Sequence, residues 1–128
     1  MKFISLNPKQ LFILDGLGAL ASALLLGLVL PQFESFFGIP LEALYLLALP
    51  PLAFVAFDAC GYFSNTTLQY KLLKVIAIAN LSYCAFSLGM AWYHSTSITT
   101  WGWLYILGEI VIVLGIAHLE WHAVPEAS

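Results

Sequence analysis

The sequence predicts an all-α, polytopic membrane protein: an antiparallel bundle of four transmembrane helices forming one domain over residues 1–128. Three observations predict it. Hydrophobic residues make up 62% of the 128 residues and charged ones 9%, against roughly 25% charged in an ordinary soluble domain. Apolar runs of about twenty residues, the length that spans the ~30 Å hydrocarbon core of a bilayer, recur along the chain. The connections between these runs are short, so consecutive helices must run antiparallel.

The first helix is expected over residues 8–30. Asn7 is a good N-cap, and Pro8 suits the first helical position, where no backbone donor is needed. A cleavable signal peptide does not fit, because the apolar run continues past the small residues Ala19–Ala23 and Asp15 interrupts it. Gly18 with Ser22, and Ala19 with Ala23, form small-xxx-small pairs that let helix backbones approach closely. They share a face with Asp15.

Pro31 and Pro40 are expected to bound the next connection, with Phe33, Phe36 and Phe37 at the membrane interface and Glu34 toward water. The second helix follows over 41–60. Pro50-Pro51 interrupts it, predicting a kink and freed carbonyls near Leu46 and Leu47, for which lipid supplies no donor. Thr66 with Gln69 reads as a capping box opening the third helix, 67–93. The fourth is expected over 100–122.

Lysine placement sets the topology. Lys2 and Lys9 flank the N-terminus, and Lys71 and Lys74 flank the loop between the second and third helices. The excess of lysine on cytoplasmic loops therefore places both termini and that loop in the cytoplasm, with the protein in the cell (inner) membrane. Trp92, Tyr93, Trp101 and Trp103 form an outer aromatic belt; Tyr62, Tyr70 and Trp121 mark the inner surface. The Asn65-Thr66-Thr67 sequon then lies on the wrong side for glycosylation.

Composition excludes several functions. The chain contains no arginine and its formal net charge is −3, so it lacks the basic face that nucleic acid requires. Cys60 and Cys84 fall at different depths and are expected to be free thiols. No nucleophile motif, glycine-rich phosphate loop or HExxH is present, so neither an enzyme nor a cofactor is the expectation. His118 and His122 share a helix face beside Glu120, but His94 falls at the opposite surface. No metal site is expected from these histidines, and no haem pair.

Two polar groups remain. Asn80, Tyr83, Cys84, Ser87 and His94 lie at helical spacing on one face. Across the antiparallel pair, Tyr83 and Glu109 both fall roughly 12–14 Å below the outer surface, at 1.5 Å rise per residue. Asn80, Tyr83, Cys84, Tyr105 and Glu109 are therefore expected to form one mid-membrane cluster opposite Pro50-Pro51. An ionised glutamate there costs about 2.5–3.5 kcal/mol on insertion scales, so Glu109 should face the interior. It suits a proton carrier, or equally a neutral acid bonded to its neighbours. Asn, Ser and Tyr also act as plain interhelical glue worth about 0.6 kcal/mol per contact. The second group is Asp15, Asp58 and Lys74 near the inner surface, read as an interfacial ion pair or as an inner vestibule.

The leading expectation for function is proton-coupled or small-solute transport through Glu109. The alternatives are a non-catalytic membrane subunit or scaffold, and a membrane enzyme or lipid- or quinone-binding protein. The expected partners are the lipid bilayer and either further copies, packed through the small-residue face of the first helix, or a larger membrane complex. A wet or ligand-filled space between the third and fourth helices favours transport or binding; a dry, fully packed bundle favours the scaffold.

Overall fold

In the computed structural model, which describes residues 7–123, helix α1 spans Pro8–Leu24. The Asn7 side chain accepts from the Gln10 amide at 2.9 Å and the Gln10 side chain accepts from the Asn7 amide at 3.0 Å. This reciprocal cap and Pro8 account for the sharp start. Lys2 and the tail beyond Ala123, which entered the topology argument, lie outside the described residues.

The sequence predicts a break at Pro31, and the chain does not make one. It passes through a π turn, Leu25–Val29, and a 3-10 turn, Leu30–Phe33, into the short helix α2, Glu34–Phe37. Proline lacks a donor and crowds the preceding turn; the wide π turn and the fresh start of the 3-10 turn accommodate it without ending the helical path. Gln32 Nε2 donates to the Leu28 carbonyl at 3.2 Å. Gly38, at φ +72°, then terminates α2 in the left-handed conformation that glycine adopts without penalty.

Helix α3, Leu41–Tyr62, carries Pro50 and Pro51 inside it. Helix α4 spans Thr66–Tyr93 and α5 spans Thr100–Trp121. The expected Thr66–Gln69 capping box is replaced. Asn65 is the cap, accepting from the Leu68 amide at 2.9 Å. Gln69 Nε2 instead donates to the Gly61 and Tyr62 carbonyls, each at 3.1 Å, satisfying the C-terminal turn of α3. Thr99 caps α5 by accepting from the Gly102 amide at 3.2 Å.

Pro8–Phe37, Leu41–Tyr62, Thr66–Tyr93 and Thr100–Trp121 are each long and apolar enough to cross a membrane. α1 packs mainly on α3, and α4 mainly on α5, with α3 against α4 closing the set. Outward-facing side chains such as Leu17, Leu28, Leu49, Val111 and Ile112 are apolar and exposed. Cys60 and Cys84 are free thiols.

Both ends are tied, by different chemistry. At one end Lys9 Nζ donates to the Tyr62 carbonyl at 2.7 Å, and Lys74 Nζ donates to the Trp121 carbonyl at 2.8 Å. Each ammonium also lies 4.5 Å from the ring centroid of the same aromatic residue. Cations thus sit on the C-termini of α3 and α5, where the helix dipole favours them. At the other end the Thr99 amide donates to the Phe37 carbonyl at 3.0 Å. Thr99 Oγ1 donates to the Phe36 carbonyl at 2.7 Å, and Ser97 Oγ to the Gly38 carbonyl at 2.9 Å. Phe36 stacks on Trp101, with ring centroids 5.4 Å apart.

The small residues of α1 divide between two neighbours. A Cβ on Gly16 would lie 3.5 Å from Asp58 Cβ, and one on Gly27 would lie 3.7 Å from Ala48 Cβ, so these glycines set the approach of α1 to α3. A Cβ on Gly18 would instead lie 3.7 Å from Ile116 of α5.

Candidate functional site

Glu109, the mid-helix acid of α5, faces inward and is half-buried; its Oε2 has no hydrogen-bond partner, and neither has the Tyr105 hydroxyl one turn before it. Ser22 of α1 lies beside it. These groups face a cavity of about 390 Å³ bordered by α1, α3, α4 and α5. Asp15, Ser22, Asn80, Tyr83, Tyr105 and Glu109 supply polar groups to its wall, and Leu25, Phe54, Leu104, Ile112 and Ile116 apolar ones.

Of the five residues expected around Glu109, Asn80, Tyr83, Tyr105 and Glu109 line one cavity, while their hydrogen bonds lead in different directions. Tyr105 and Glu109 stay together on the cavity wall. The Tyr83 hydroxyl turns to α3 and donates to the Leu47 carbonyl at 2.7 Å. That carbonyl is four residues before Pro51, which has no N–H to offer it; a side chain from another helix supplies the missing donor. Phe54 meets the Tyr83 ring edge-on at 6.1 Å between centroids. Cys84 Sγ lies 4.0 Å from the Ile110 carbonyl. The expected result for Tyr83→Phe is a loss of about 1 kcal/mol, the usual value of one buried hydrogen bond, read as a lower unfolding midpoint in detergent. A substitution without effect would show that the Leu47 carbonyl finds another donor.

Asn80 borders the same cavity, but its hydrogen bonds run to other acids. Its amide donates to Asp15 Oδ1 at 2.7 Å and to Glu120 Oε1 at 3.1 Å. Asp58 of α3 packs beside them, its Cβ 3.5 Å from where a Cβ on Gly16, the neighbour of Asp15, would stand. All four side chains are almost completely enclosed: Asp15 is 4% exposed, Asp58 2%, Asn80 5% and Glu120 0%. The four main helices each contribute one member. The absence of a Cβ at Gly16 leaves room for Asp58 against α1.

The expected ion pairs of Lys74 with Asp15 or Asp58 do not form. Its ammonium is held by the Trp121 carbonyl and ring. A long lysine side chain reaches polar surroundings more cheaply than it enters the core. Ser87, which shares the α4 stripe, is buried with its hydroxyl unpartnered.

Glu120 was read from sequence only as a neighbour of His118 and His122. It turns away from both and into the interior. The signal was available, because Glu120 lies eleven residues after Glu109, about three helical turns, and so shares its face. The two histidines remain exposed, their rings 4.5 Å apart. His94 meets Tyr93 edge-on at 4.9 Å. Among the described residues, no group of three or more His, Cys, Asp or Glu is placed to hold a metal ion.

Comparison with protein-family models, with curated proteins and with solved structures finds no match for this chain.

Proposed function

We propose that the protein is an integral membrane protein, an antiparallel bundle of four spanning helices, that passes protons, alone or with a small solute, and uses Glu109 as the exchanging acid. One observation carries this reading: Glu109 and Tyr105 present unpartnered polar atoms to an interhelical cavity that also touches Asp15 and Asn80. A scaffold gains nothing from such a space, since its polar groups serve best when they pair across helices. A carboxyl with a free oxygen at a cavity wall can take up and release a proton or grip a hydrogen-bonding solute. The apolar exterior supports insertion in a membrane. The gathering of Lys9 and Lys74 at one end supports placing that end in the cytoplasm of a cell whose inner membrane holds the protein.

The test is proton flux into liposomes under an imposed pH gradient. The wild-type chain is expected to dissipate the gradient. Glu109→Gln is expected to slow it about a hundredfold, the lower range for loss of a group that transfers the proton itself, while the folded protein is recovered in normal yield. Equal flux from the two proteins would sink this proposal.

A second reading follows from the apolar share of the cavity wall, Leu25, Leu104, Ile112 and Ile116. It is capture of a lipid-like molecule by its apolar body, with Glu109 and Tyr105 holding its polar end. A wild-type protein that moves no protons but retains a lipid through purification, and loses it on Glu109→Gln, supports this reading.

A further inference from the structure

We propose that Asp15, Asp58 and Glu120, joined by Asn80, form a proton-binding site that holds two protons among its three carboxyl groups. The argument is an inventory of donors. The Asn80 amide has two N–H groups and spends them on Asp15 Oδ1 and Glu120 Oε1. Asp15 Oδ2, both oxygens of Asp58 and Glu120 Oε2 are then buried without any donor. Ionised carboxylates can only accept, so no arrangement of three charged groups repairs this. Asp58 contributes two of these four oxygens. It comes from α3, is 2% exposed, has no partner on either oxygen, and packs against α1 beside Asp15, its Oδ2 3.8 Å from where a Cβ on Gly16 would stand.

Glu120 and Asp15 accept from the same Asn80 amide nitrogen, at 3.1 and 2.7 Å, which brings their carboxyls close together. A proton on Asp58 and one on Glu120 make each of them a donor to Asp15. Asp15 becomes a central carboxylate receiving the Asn80 amide and two acid hydroxyls. The group then carries a single negative charge in place of three, which removes the repulsion between adjacent carboxylates in a low-dielectric interior.

Among the described residues, the cations are committed elsewhere. Lys9 and Lys74 bind the Tyr62 and Trp121 carbonyls. Lys71 and the His118–His122 pair are exposed, facing away from the interior. The compensating charge is therefore a proton or a bound cation, and among the described residues no set is arranged for a metal ion. Since Asp15 and Asn80 also border the cavity that Glu109 faces, protons held here lie on the wall of the same space. The site does not depend on Glu109 carrying protons; its test is separate from the flux assay.

Infrared spectroscopy of the full chain in detergent at neutral pH reads protonated carboxyl groups through a carbonyl stretch that shifts in heavy water. The wild-type protein and Glu109→Gln are both expected to show it. Asp58→Asn and Glu120→Gln are each expected to lose part of it, and sodium, potassium or calcium chloride at fixed pH should leave it unchanged. A band removed only by Glu109→Gln, the absence of any band, or its loss on adding one of these salts overturns the proposal, the last by making this a cation site. Thermal unfolding gives a second measure. Asp58→Asn replaces the acid hydroxyl by an amide donor to Asp15 and is expected to melt no lower than wild type. A variant that melts well below it, or does not fold, overturns the proposal too.

Discussion

Replacing Asn80 with leucine is expected to destabilise the protein by about 3 kcal/mol or more, since each buried acceptor left without its donor costs about 1–3 kcal/mol. Leucine keeps the branched outline of asparagine but offers nothing to Asp15 Oδ1 or Glu120 Oε1, which accept from Asn80 at 2.7 and 3.1 Å. Both carboxyls are too deeply enclosed to recruit bulk solvent, at 4% and 0% exposure. Ser87→Ala supplies the control on the same helix face. Its hydroxyl is buried and unpartnered, so its removal should be neutral or slightly stabilising. Unfolding midpoints in a mild detergent separate the two. Similar small changes in both variants would show that Asn80 is ordinary interhelical glue, near the 0.6 kcal/mol average.

Gly102→Ala is expected to cost about 3 kcal/mol, the upper range for forcing a methyl group into filled space. A Cβ at this position would fall on the Phe37 carbonyl oxygen and lie 2.8 Å from Ile98 Cγ2. The same carbonyl accepts the Thr99 amide at 3.0 Å, so moving it away breaks the tie between α2 and the start of α5. Neither partner is the free end of a flexible side chain, and relief requires backbone movement. Gly115→Ala, with nothing within 4 Å of the new Cβ, should be neutral or stabilising by up to about 1 kcal/mol through helix propensity. Equal melting of the two alanine variants would show that the α2–α5 junction yields without loss.

Much of the helical layout was legible because its causes are local. Asn7-Pro8 starts α1 wherever the rest of the chain goes, and twenty apolar residues span a bilayer without knowledge of their neighbours. The need for a donor near Leu47 followed from Pro51 alone, though not that Tyr83 supplies it. Pro31 misled because a proline's effect depends on whether the preceding turn can widen, and the π turn at Leu25–Val29 does so. The Thr66 cap misled by a single residue, since Asn65 offered a better acceptor for the same amides.

The candidate site was legible in its ingredients and not in its pairings. Glu109 and Tyr105 came together because they lie on adjacent turns of one helix. Asn80 was assigned to them on the assumption that helices begin and end at common levels. α4 overhangs α5, as the Lys74–Trp121 contact records, so a residue about four turns into α4 meets one in the last turn of α5. Their side chains converge further because each leans toward the N-terminus of its own helix. Composition and periodicity are sums over neighbours in sequence, and they sufficed for four membrane-length helices, the capped start at Asn7 and the inward-facing Glu109. The grouping of Asp15, Asp58 and Glu120 around one asparagine, and the cavity beside Glu109, depend on helix offset and on the missing Cβ of Gly16. Those are relations between distant segments, and only packing in three dimensions sets them.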